Sequence, residues 1–248
     1  MNDTLFYSAG HTKALNYTRK ILQQHNCFFT DAPNKKVTHL LLDVPSFEAD
    51  GSLRGGGDIA PVLAQLDSGI TVIGGNLKHP ALVNYKTVDL LRDPFYIAEN
   101  ADITAHCAIV EAATRLPVTL KGCQVLVIGW GRIGKCLAGL LKNAGAVVSV
   151  AARKEADRAM LQTLGYDTED AAKLDYSLVR YRVIFNTAPA PVIDKDALQY
   201  CSPDCLLIDL ASQKGIDSPS VIWARGLPNK NAPESSGKLI ARSILRLR

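Results

Sequence analysis

The sequence predicts an α/β protein with two domains, each built around a parallel β-sheet. Short apolar runs that suit buried strands alternate along the chain with segments of helical apolar spacing. The 248 residues are 47% hydrophobic, which is enough for two small cores. A glycine-rich strand–turn–helix segment begins near the midpoint, so about half of the chain precedes it and must fold by itself.

The first half of the chain predicts a small flavodoxin-like parallel α/β domain, because strands and helices alternate in it. Helices are expected at Lys13–His25 and Ile59–Asp67. The segment 46–57 follows a strand, where open α/β sheets place ligand loops, and is either a substrate loop or a plain flexible loop. The predicted strands of this half are Leu5–Tyr7, Cys27–Thr30, Thr38–Val44 and Gly69–Gly74.

A helix is predicted over residues 98–115, between Pro94 and Pro117, and it joins the two halves. We expect a first domain at 1–117 and a second at 118–235. Residues 236–248 then form a C-terminal helix that could pack back on the first domain.

The segment 125–135, Val-Leu-Val-Ile-Gly-Trp-Gly-Arg-Ile-Gly-Lys, predicts a dinucleotide-binding turn of the Rossmann type. Gly129 makes the turn, Gly131 lets a pyrophosphate approach the backbone, and Gly134 lets the helix pack closely on the strand. The helix N-terminus offers unpaired N–H groups to phosphates. A glycine-rich turn that has lost its ligand is the alternative. The candidate cofactor-binding residues here are Gly129, Gly131, Arg132, Ile133 and Gly134.

The end of the next predicted strand, 146–152, favours NADP(H) over NAD(H), although NAD stays possible. An NAD site normally places an acid there to bind the ribose 2′-hydroxyl. This chain has Arg153 and Lys154 instead, and an arginine can hold a 2′-phosphate with two charge-assisted hydrogen bonds. Alternatively both cations only solvate the strand end, beside Glu155.

Two further strands are predicted at Val183–Phe185 and Leu206–Ile208, each followed by polar residues. Because carboxyl ends of parallel strands meet at one edge of a sheet, these residues are expected beside the nicotinamide. The segment Ala156–Leu164 is predicted as a helix, Thr168–Leu174 as a connection, and Leu239–Leu247 as helical.

Composition limits the classes of function. The net charge is +4 without a basic run, which disfavours nucleic acid. No apolar stretch is long enough to cross a membrane, and residues 1–4 begin no signal peptide, so a cytoplasmic location is expected. The cysteines suit reduced, buried thiols rather than a metal site, and they lie at positions 27, 107, 123, 136, 201 and 205.

Four motifs in the second half resemble the family of the dipicolinate synthase A subunit. They are Gly-Trp-Gly-Arg-Ile-Gly at 129–134, Asn186-Thr187-x-Pro189, Asp209-Leu210-Ala211-Ser212, and Gly226-Leu227-Pro228-x-x-x-Ala232-Pro233-x-x-x-Gly237. The first half matches more loosely, through Asn100-Ala101 and Thr104-Ala105. The chain departs from the family's Thr-Ala-Glu-Gly at Thr104-Ala105-His106-Cys107.

The resemblance implies an NAD(P)H-dependent oxidoreductase that acts on a dihydrodipicolinate-pathway intermediate during sporulation. It implies a small dicarboxylate substrate and a partner in the form of a flavoprotein-like B subunit. Independently of the resemblance, we expect a homo-oligomer and no bound metal. The residues it implies for catalysis are Thr104, His106, Asn186 and Ser212. The residues it adds for the cofactor are Asn186, Thr187, Pro189, Leu210, Ala211, Leu227, Pro228 and Pro233.

Two other classes of function stay open. A D-2-hydroxyacid dehydrogenase-like enzyme would use the same fold on another small carboxylate, although no convincing set of Arg, Glu and His is present for it. A non-catalytic NAD(P)-binding regulator would need fewer polar groups at the nicotinamide end. His106 either contacts substrate as an acid, base or carboxylate partner, or is a solvated or interface histidine.

Overall fold

Two parallel sheets organise the computed structural model, which describes residues 4–247. One unit, called unit 1, contains the described residues up to Asn100 together with those from Pro228 onward; unit 2 is Ala101–Leu227. Each unit contains one sheet, so the predicted class of two parallel α/β domains is confirmed. The units end at other positions than the expected 117 and 235. Residues 1–3, which entered the signal-peptide argument, lie outside the described residues.

The helices and strands alternate along the chain as the sequence predicts. Short 3₁₀ turns lie at Pro80–Leu82, Leu90–Arg92 and Tyr176–Arg180. The strands are β1 (Leu5–Ser8), β2 (Phe28–Thr30), β3 (His39–Leu41), β4 (Thr71–Gly74), β5 (Lys86–Asp89), β6 (Gln124–Ile128), β7 (Val147–Ala152), β8 (Asp167–Asp170), β9 (Val183–Asn186), β10 (Leu206–Asp209) and β11 (Ile222–Trp223). The helices are α1 (Lys13–Gln24), α2 (Ala60–Ala64), α3 (Pro94–Ala113), α4 (Arg132–Asn143), α5 (Glu155–Thr163), α6 (Lys195–Leu198), α7 (Leu227–Asn231) and α8 (Pro233–Arg246).

The sheet of unit 1 has the order β2-β1-β3-β4-β5, with every pairing parallel. This is the flavodoxin-like order that the first half of the sequence predicts. Its strands are short and apolar, and Leu40, Leu41 and Val72 are fully buried. Strand β5 has no apolar run and was missed in the sequence.

Helix α2 is shorter than the predicted Ile59–Asp67. Its last turn closes at Gln65, and the Asp67 carboxylate then accepts the N–H of Gly69 at 2.8 Å. Such a local bond from an aspartate to the backbone two residues on stabilises a turn instead of another helical turn.

Helix α8 packs directly against α1 within unit 1. The Thr18 hydroxyl donates to the carbonyls of Ala14 and Gly237, at 3.0 and 3.1 Å. A Cβ atom at Gly237 would lie 2.5 Å from the Ala14 oxygen and 2.5 Å from Tyr17 Cβ. Only a glycine therefore allows this approach. Helix α8 also forms ion pairs with the start of α3, Arg242 to Glu99 and Arg246 to Asp93.

The sheet of unit 2 has the order β11-β10-β9-β6-β7-β8 and is also parallel throughout. This is the doubly wound order in which strand order reverses beside the first strand, here between β6 and β9. Central β6 is buried on both faces, with Val125–Ile128 all at 0% exposure. The sheet therefore presents a ligand crevice at the carboxyl ends of β6 and β9.

The prediction that Thr168–Leu174 is only a connection is wrong. Residues 167–170 form β8, an edge strand that pairs with β7 from Ser149 to Ala152. Its sequence, Asp-Thr-Glu-Asp, has no apolar alternation because an edge strand of this kind leaves its side chains half-exposed. Strand β11, of two residues, was too short to predict.

All six cysteines are free thiols. Burial raises the pKa of Cys107 and Cys201, and it raises that of Cys205 to about 12. In residues 4–247 no group of three or more His, Cys, Asp or Glu is placed to hold a metal ion. No helix in the same range is long and apolar enough to span a bilayer.

We predict opposite effects for one substitution at two helical glycines. Gly237→Ala should lower stability by about 1–3 kcal/mol, because the new methyl group overlaps the α1 backbone. Gly139→Ala should raise stability by about 0.5–1 kcal/mol, because nothing lies within 4 Å of a Cβ there and alanine favours the helix of α4. Thermal unfolding followed by circular dichroism compares both with the parent chain, and a stabilised Gly237→Ala variant would contradict the packing described for α8.

Candidate functional site

The turn between β6 and α4 is shaped by two glycines that a side chain would disrupt. Gly129 has φ of +105°, and a Cβ there would lie 2.6 Å from Thr187 Oγ1. A Cβ at Gly134 would overlap the Gly129 carbonyl oxygen. The first turn of α4 therefore rests on the end of β6, as the spacing of the motif predicts.

Gly131 differs, since nothing lies within 4 Å of a Cβ placed on it. It is the N-cap residue of α4 in extended conformation, and no side chain caps the helix there. The space beside Gly131 is therefore open at the start of a twelve-residue helix, whose first N–H groups have no partner within the helix. This is the geometry that a bound phosphate group requires.

A cavity of about 830 Å³ opens in front of this turn. Its walls are the turn at 128–131, the segment 151–154 after β7, Asp157 of α5, residues 171–172 after β8, and the loop 187–192 after β9. Four strand ends of one sheet therefore line one cavity. Its volume lies in the range of about 300–1,000 Å³ typical of small-molecule sites.

Arg153 and Lys154 line this cavity where β7 ends, and both are exposed. Among the described residues, no hydrogen bond or ion pair occupies the Arg153 guanidinium. Lys154 is the N-cap residue of α5 and has an extended conformation. Asp157 lies in the first turn of the helix and lines the same cavity, so the local charge is two cations against one carboxylate.

Thr187 ties the two central strands together at the crevice. Its hydroxyl donates to the carbonyls of Ile128 at 2.9 Å and Gly129 at 3.3 Å. Its backbone N–H also donates to the Ile128 carbonyl. Thr187 and Pro189 both line the cavity, so these two sequence-predicted residues lie with Gly129 and Gly131.

Asn186 and Asp209 form a buried network instead of facing the cavity. Both end their strands, pair in register and are 0% exposed. The Asn186 amide donates to Asp209 Oδ2 at 3.1 Å and to the Ala188 carbonyl, while its oxygen accepts the Ala188 N–H. Both polar ends of the Asn186 side chain are therefore used to hold the loop, and its catalytic role stays a prediction.

The Asp209 carboxylate holds the second loop. Oδ1 accepts the N–H of Ala211 at 2.9 Å, and Oδ2 accepts those of Gly215 and Ile216 at 2.7 and 3.2 Å. A Cβ at Gly215 would lie 2.6 Å from Asn186 Nδ2, so the two loops interlock. A buried charge with this many donors is satisfied entirely by the backbone and the neighbouring amide.

Other sequence-predicted cofactor residues do not line the cavity. Arg132, Ile133 and Gly134 are the first turn of α4. Leu210 and Ala211 are buried after β10, and Ser212 is exposed beside them. Leu227 and Pro228 begin α7, and Pro233 begins α8, where a proline lacks only an N–H that a helix start does not use.

The catalytic candidates of α3 differ in exposure. Thr104 is buried, whereas the His106 side chain is 61% exposed. His106 Nε2 lies 3.8 Å from an Asp102 carboxylate oxygen, one helical turn before it. Asp102 was missed in the sequence, although its spacing of four residues from the histidine predicts such a pair on a helix.

Four cavity residues were also missed. Trp130 occupies the variable position between two glycines, packs edge-to-face on Tyr166 at 6.0 Å, and has Lys135 Nζ 5.6 Å from its ring centre. Asp157 lies in the first turn of α5 and lines the same cavity as Arg153. Residues 171–172 follow β8, the strand that the sequence did not reveal.

These features fit a dinucleotide. The open side of Gly131 and the uncapped start of α4 suit a pyrophosphate, and the bare strand ends leave room for the ribose and base on either side. The cation pair after β7 lies where the adenosine ribose of such a ligand is recognised.

Comparison with known proteins shows which family and which relatives the chain matches. A family model for the NAD binding domain of D-isomer specific 2-hydroxyacid dehydrogenases matches residues 88–225, more than half of the chain. The A subunit of dipicolinate synthase from Bacillus subtilis (strain 168) is 28% identical over 156 residues, which cover 60% of this chain and 52% of that protein. The chain thus spans about half the length of the curated relative it matches.

Solved structures agree in fold. The A subunit of dipicolinate synthase from Bacillus halodurans has a TM-score of 0.87 at 20% identity, covering 99% of this chain and 98% of that one. A transhydrogenase from Sinorhizobium meliloti has a TM-score of 0.72 at 16% identity, covering 98% and 92%. The resemblance to the dipicolinate synthase A subunit is confirmed by the curated relative, and this chain belongs to the family defined by the NAD binding domain of D-isomer specific 2-hydroxyacid dehydrogenases.

Proposed function

We propose that this protein is an NADP(H)-dependent oxidoreductase that acts on a small dicarboxylate, in the manner that the name dipicolinate synthase indicates for its relative. The observation that carries the proposal is the cavity of unit 2, where the dinucleotide turn and two cations line one space. The family assignment supplies the class of chemistry, a redox reaction with a nicotinamide nucleotide.

The preference for NADPH follows from charge. A carboxylate at the end of β7 would repel a 2′-phosphate, whereas the Arg153 guanidinium attracts it and can bond two of its oxygens. Arg153 and Lys154 are unpaired in the described chain and so need not break an ion pair to bind it. Asp157 opposes them, but it is a single carboxylate set one helical turn further on.

A bound nicotinamide nucleotide would exchange a hydride with the substrate, and the residues of this chain would position it. The α4 N-terminus and Gly131 hold the phosphates, Thr187 fixes the crevice edge, and the Asn186–Asp209 network holds the two loops expected beside the nicotinamide. Rigid loops favour reaction because they fix the position of the reacting atoms before substrate arrives.

For the substrate side we propose Thr104, His106 and Ser212. A protonated His106 would attract a carboxylate, and in either form it can hold or move a proton at Nε2, beside Asp102. Pairing with a flavoprotein-like B subunit, together with assembly with further copies of the chain, belongs to the same proposal, because the curated relative is one component of a synthase.

The family match favours a second candidate, the reduction of another small 2-keto acid in the manner of D-2-hydroxyacid dehydrogenases. This reaction would use the same nucleotide site but a different carboxylic acid as substrate. A panel of 2-keto monocarboxylates assayed beside the dihydrodipicolinate precursor separates the two, and firm nucleotide binding without turnover of any acid would favour a regulatory protein.

We expect NADPH to bind more tightly than NADH, and Arg153→Ala to remove most of the difference. Loss of one charge-assisted contact with phosphate should cost roughly 1.5–3 kcal/mol, about tenfold or more in affinity. Fluorescence titration with both nucleotides measures it. Asp157→Asn is the matched control, because removing an acid from the same cavity should not weaken NADPH binding. Tighter NADH binding by the parent chain, lost in Asp157→Asn, would reverse the assignment.

Gly131→Val should abolish nucleotide binding and leave the fold intact, since its side chain enters open space that the pyrophosphate needs. Gly134→Val is the contrasting variant, because its side chain overlaps the Gly129 carbonyl and must shift α4. Circular dichroism and thermal unfolding should distinguish them. Near-normal NADPH affinity in Gly131→Val would show that the turn does not hold the phosphates.

His106→Ala should reduce NADP⁺-dependent oxidation of the dicarboxylate at least tenfold while NADPH affinity changes little, because the histidine is not among the cavity residues. The assay follows dipicolinate formation from freshly generated dihydrodipicolinate precursor, with and without a candidate B subunit. His25→Ala, another exposed histidine, serves as control. If His106→Ala turned over the substrate as fast as His25→Ala and the parent chain, His106 would not belong to the substrate site.

A further inference from the structure

Arg158 of α5 contacts two segments next to the cavity, the bend at 152–153 after β7 and Asp170 at the end of β8. Its Nη1 donates to the carbonyl of Ala152 at 2.8 Å and to that of Arg153 at 2.9 Å. The same nitrogen lies 3.4 Å from Asp170 Oδ1. Arg158 is not among the cavity-lining residues, and its side chain is only 22% exposed.

The two carbonyls that it binds belong to the bend that presents Arg153. Ala152 is the last residue of β7, and Arg153 and Lys154 are the two residues before α5. The Arg153 backbone has left the sheet ladder but has not entered the helix, so its carbonyl needs another donor. The Ala152 carbonyl receives the Ala171 N–H at the long distance of 3.4 Å and has a second lone pair to offer. Arg158 supplies both with one charged nitrogen, which gives stronger bonds than a neutral donor would.

Asp170 connects this bend to the neighbouring segment. It ends β8, and its Oδ1 accepts the N–H of Ala172 at 3.0 Å in addition to facing Arg158. Ala171 and Ala172 line the cavity, and the Ala171 N–H points to the same Ala152 carbonyl at 3.4 Å. One guanidinium thus joins two cavity-lining segments that come from different strands.

We propose that Arg158 is a positioning residue for recognition of the 2′-phosphate: it holds the bend after β7 so that the Arg153 side chain faces the cavity. This inference rests on the proposed NADPH preference and extends it to a residue that touches no part of the nucleotide. All three contacts are made by Nη1, which the planar guanidinium holds in a fixed place at the end of the side chain. The ammonium of a lysine lies one atom nearer the backbone on a flexible stem, so a lysine does not hold its charge at this point.

The geometry also separates this role from simple attraction of phosphate. The Asp170 carboxylate and two carbonyl oxygens surround the Arg158 charge, so its field toward the cavity is partly compensated. If Arg158 acted by charge alone, a lysine would replace it. If it acts by holding the bend, a lysine will not.

The test compares Arg158→Met and Arg158→Lys with the parent chain. Both should lower NADPH affinity about tenfold and leave NADH affinity within about twofold, since a lost positioning contact acts only through Arg153. In an Arg153→Ala background, Arg158→Met should have no further effect on the ratio of the two affinities. Arg182→Met, which removes a cation paired with Asp204 away from the cavity, is the control of equal charge change.

Hydrogen exchange without nucleotide provides a readout that does not depend on the proposed function. Amides of residues 153–157 should exchange faster in Arg158→Met and Arg158→Lys than in the parent chain, with no change in β6. Unchanged exchange, or full NADPH affinity in Arg158→Lys, would overturn the positioning role even if NADPH is preferred. A parent chain that prefers NADH would overturn the proposed function and the selectivity role with it, and equal loss of both nucleotides would reduce Arg158 to a structural residue.

Discussion

The close approach of α4 to the end of β6 is the constraint on which the site depends. Because the start of the helix rests on the Gly129 carbonyl, its axis and its N-terminus are fixed by the central strand of the sheet. The strand is buried on both faces and cannot shift without disturbing its neighbours β7 and β9. The position of the cavity wall at 128–131 is therefore fixed by the buried core of unit 2.

The polar residues around this crevice divide into those that face the cavity and those that build it. Thr187, Asn186 and Asp209 use their hydrogen-bonding capacity on backbone groups of the loops after β9 and β10. Buried polar networks of this kind are stable only when every member is satisfied, and here the strand register brings Asn186 and Asp209 side by side. The exposed side chains of Arg153 and Lys154 follow β7, on the other side of β6 from this network.

Much of the fold could be predicted from the sequence, because its main elements have strong local signals. The run 125–135 combines a buried strand, a glycine turn and an amphipathic helix, and α5 was expected within one residue of its observed ends. Strand β8 was missed because its four polar residues gain their pairing only from β7, which is distant in sequence. The roles of the site residues remain predictions. The sequence alone could not show which polar residues line the cavity and which hold its loops. Asn186 and Asp209 are 23 residues apart, and only the parallel register shows that each satisfies the other.

The pairing of α1 with α8 bears on how the chain acquires its structure during synthesis. The described part of unit 1 is formed by residues up to Asn100 and by the segment after Pro228, whereas unit 2 is continuous in sequence. A chain that emerges from the ribosome amino end first can complete the nucleotide-binding unit while α1 still lacks the partner that covers it. Thr18 and Gly237 meet only after 219 residues of separation have been closed. Helix α1 is therefore synthesised well before the helix that covers it, and its packing against α8 must wait until α8 has been made.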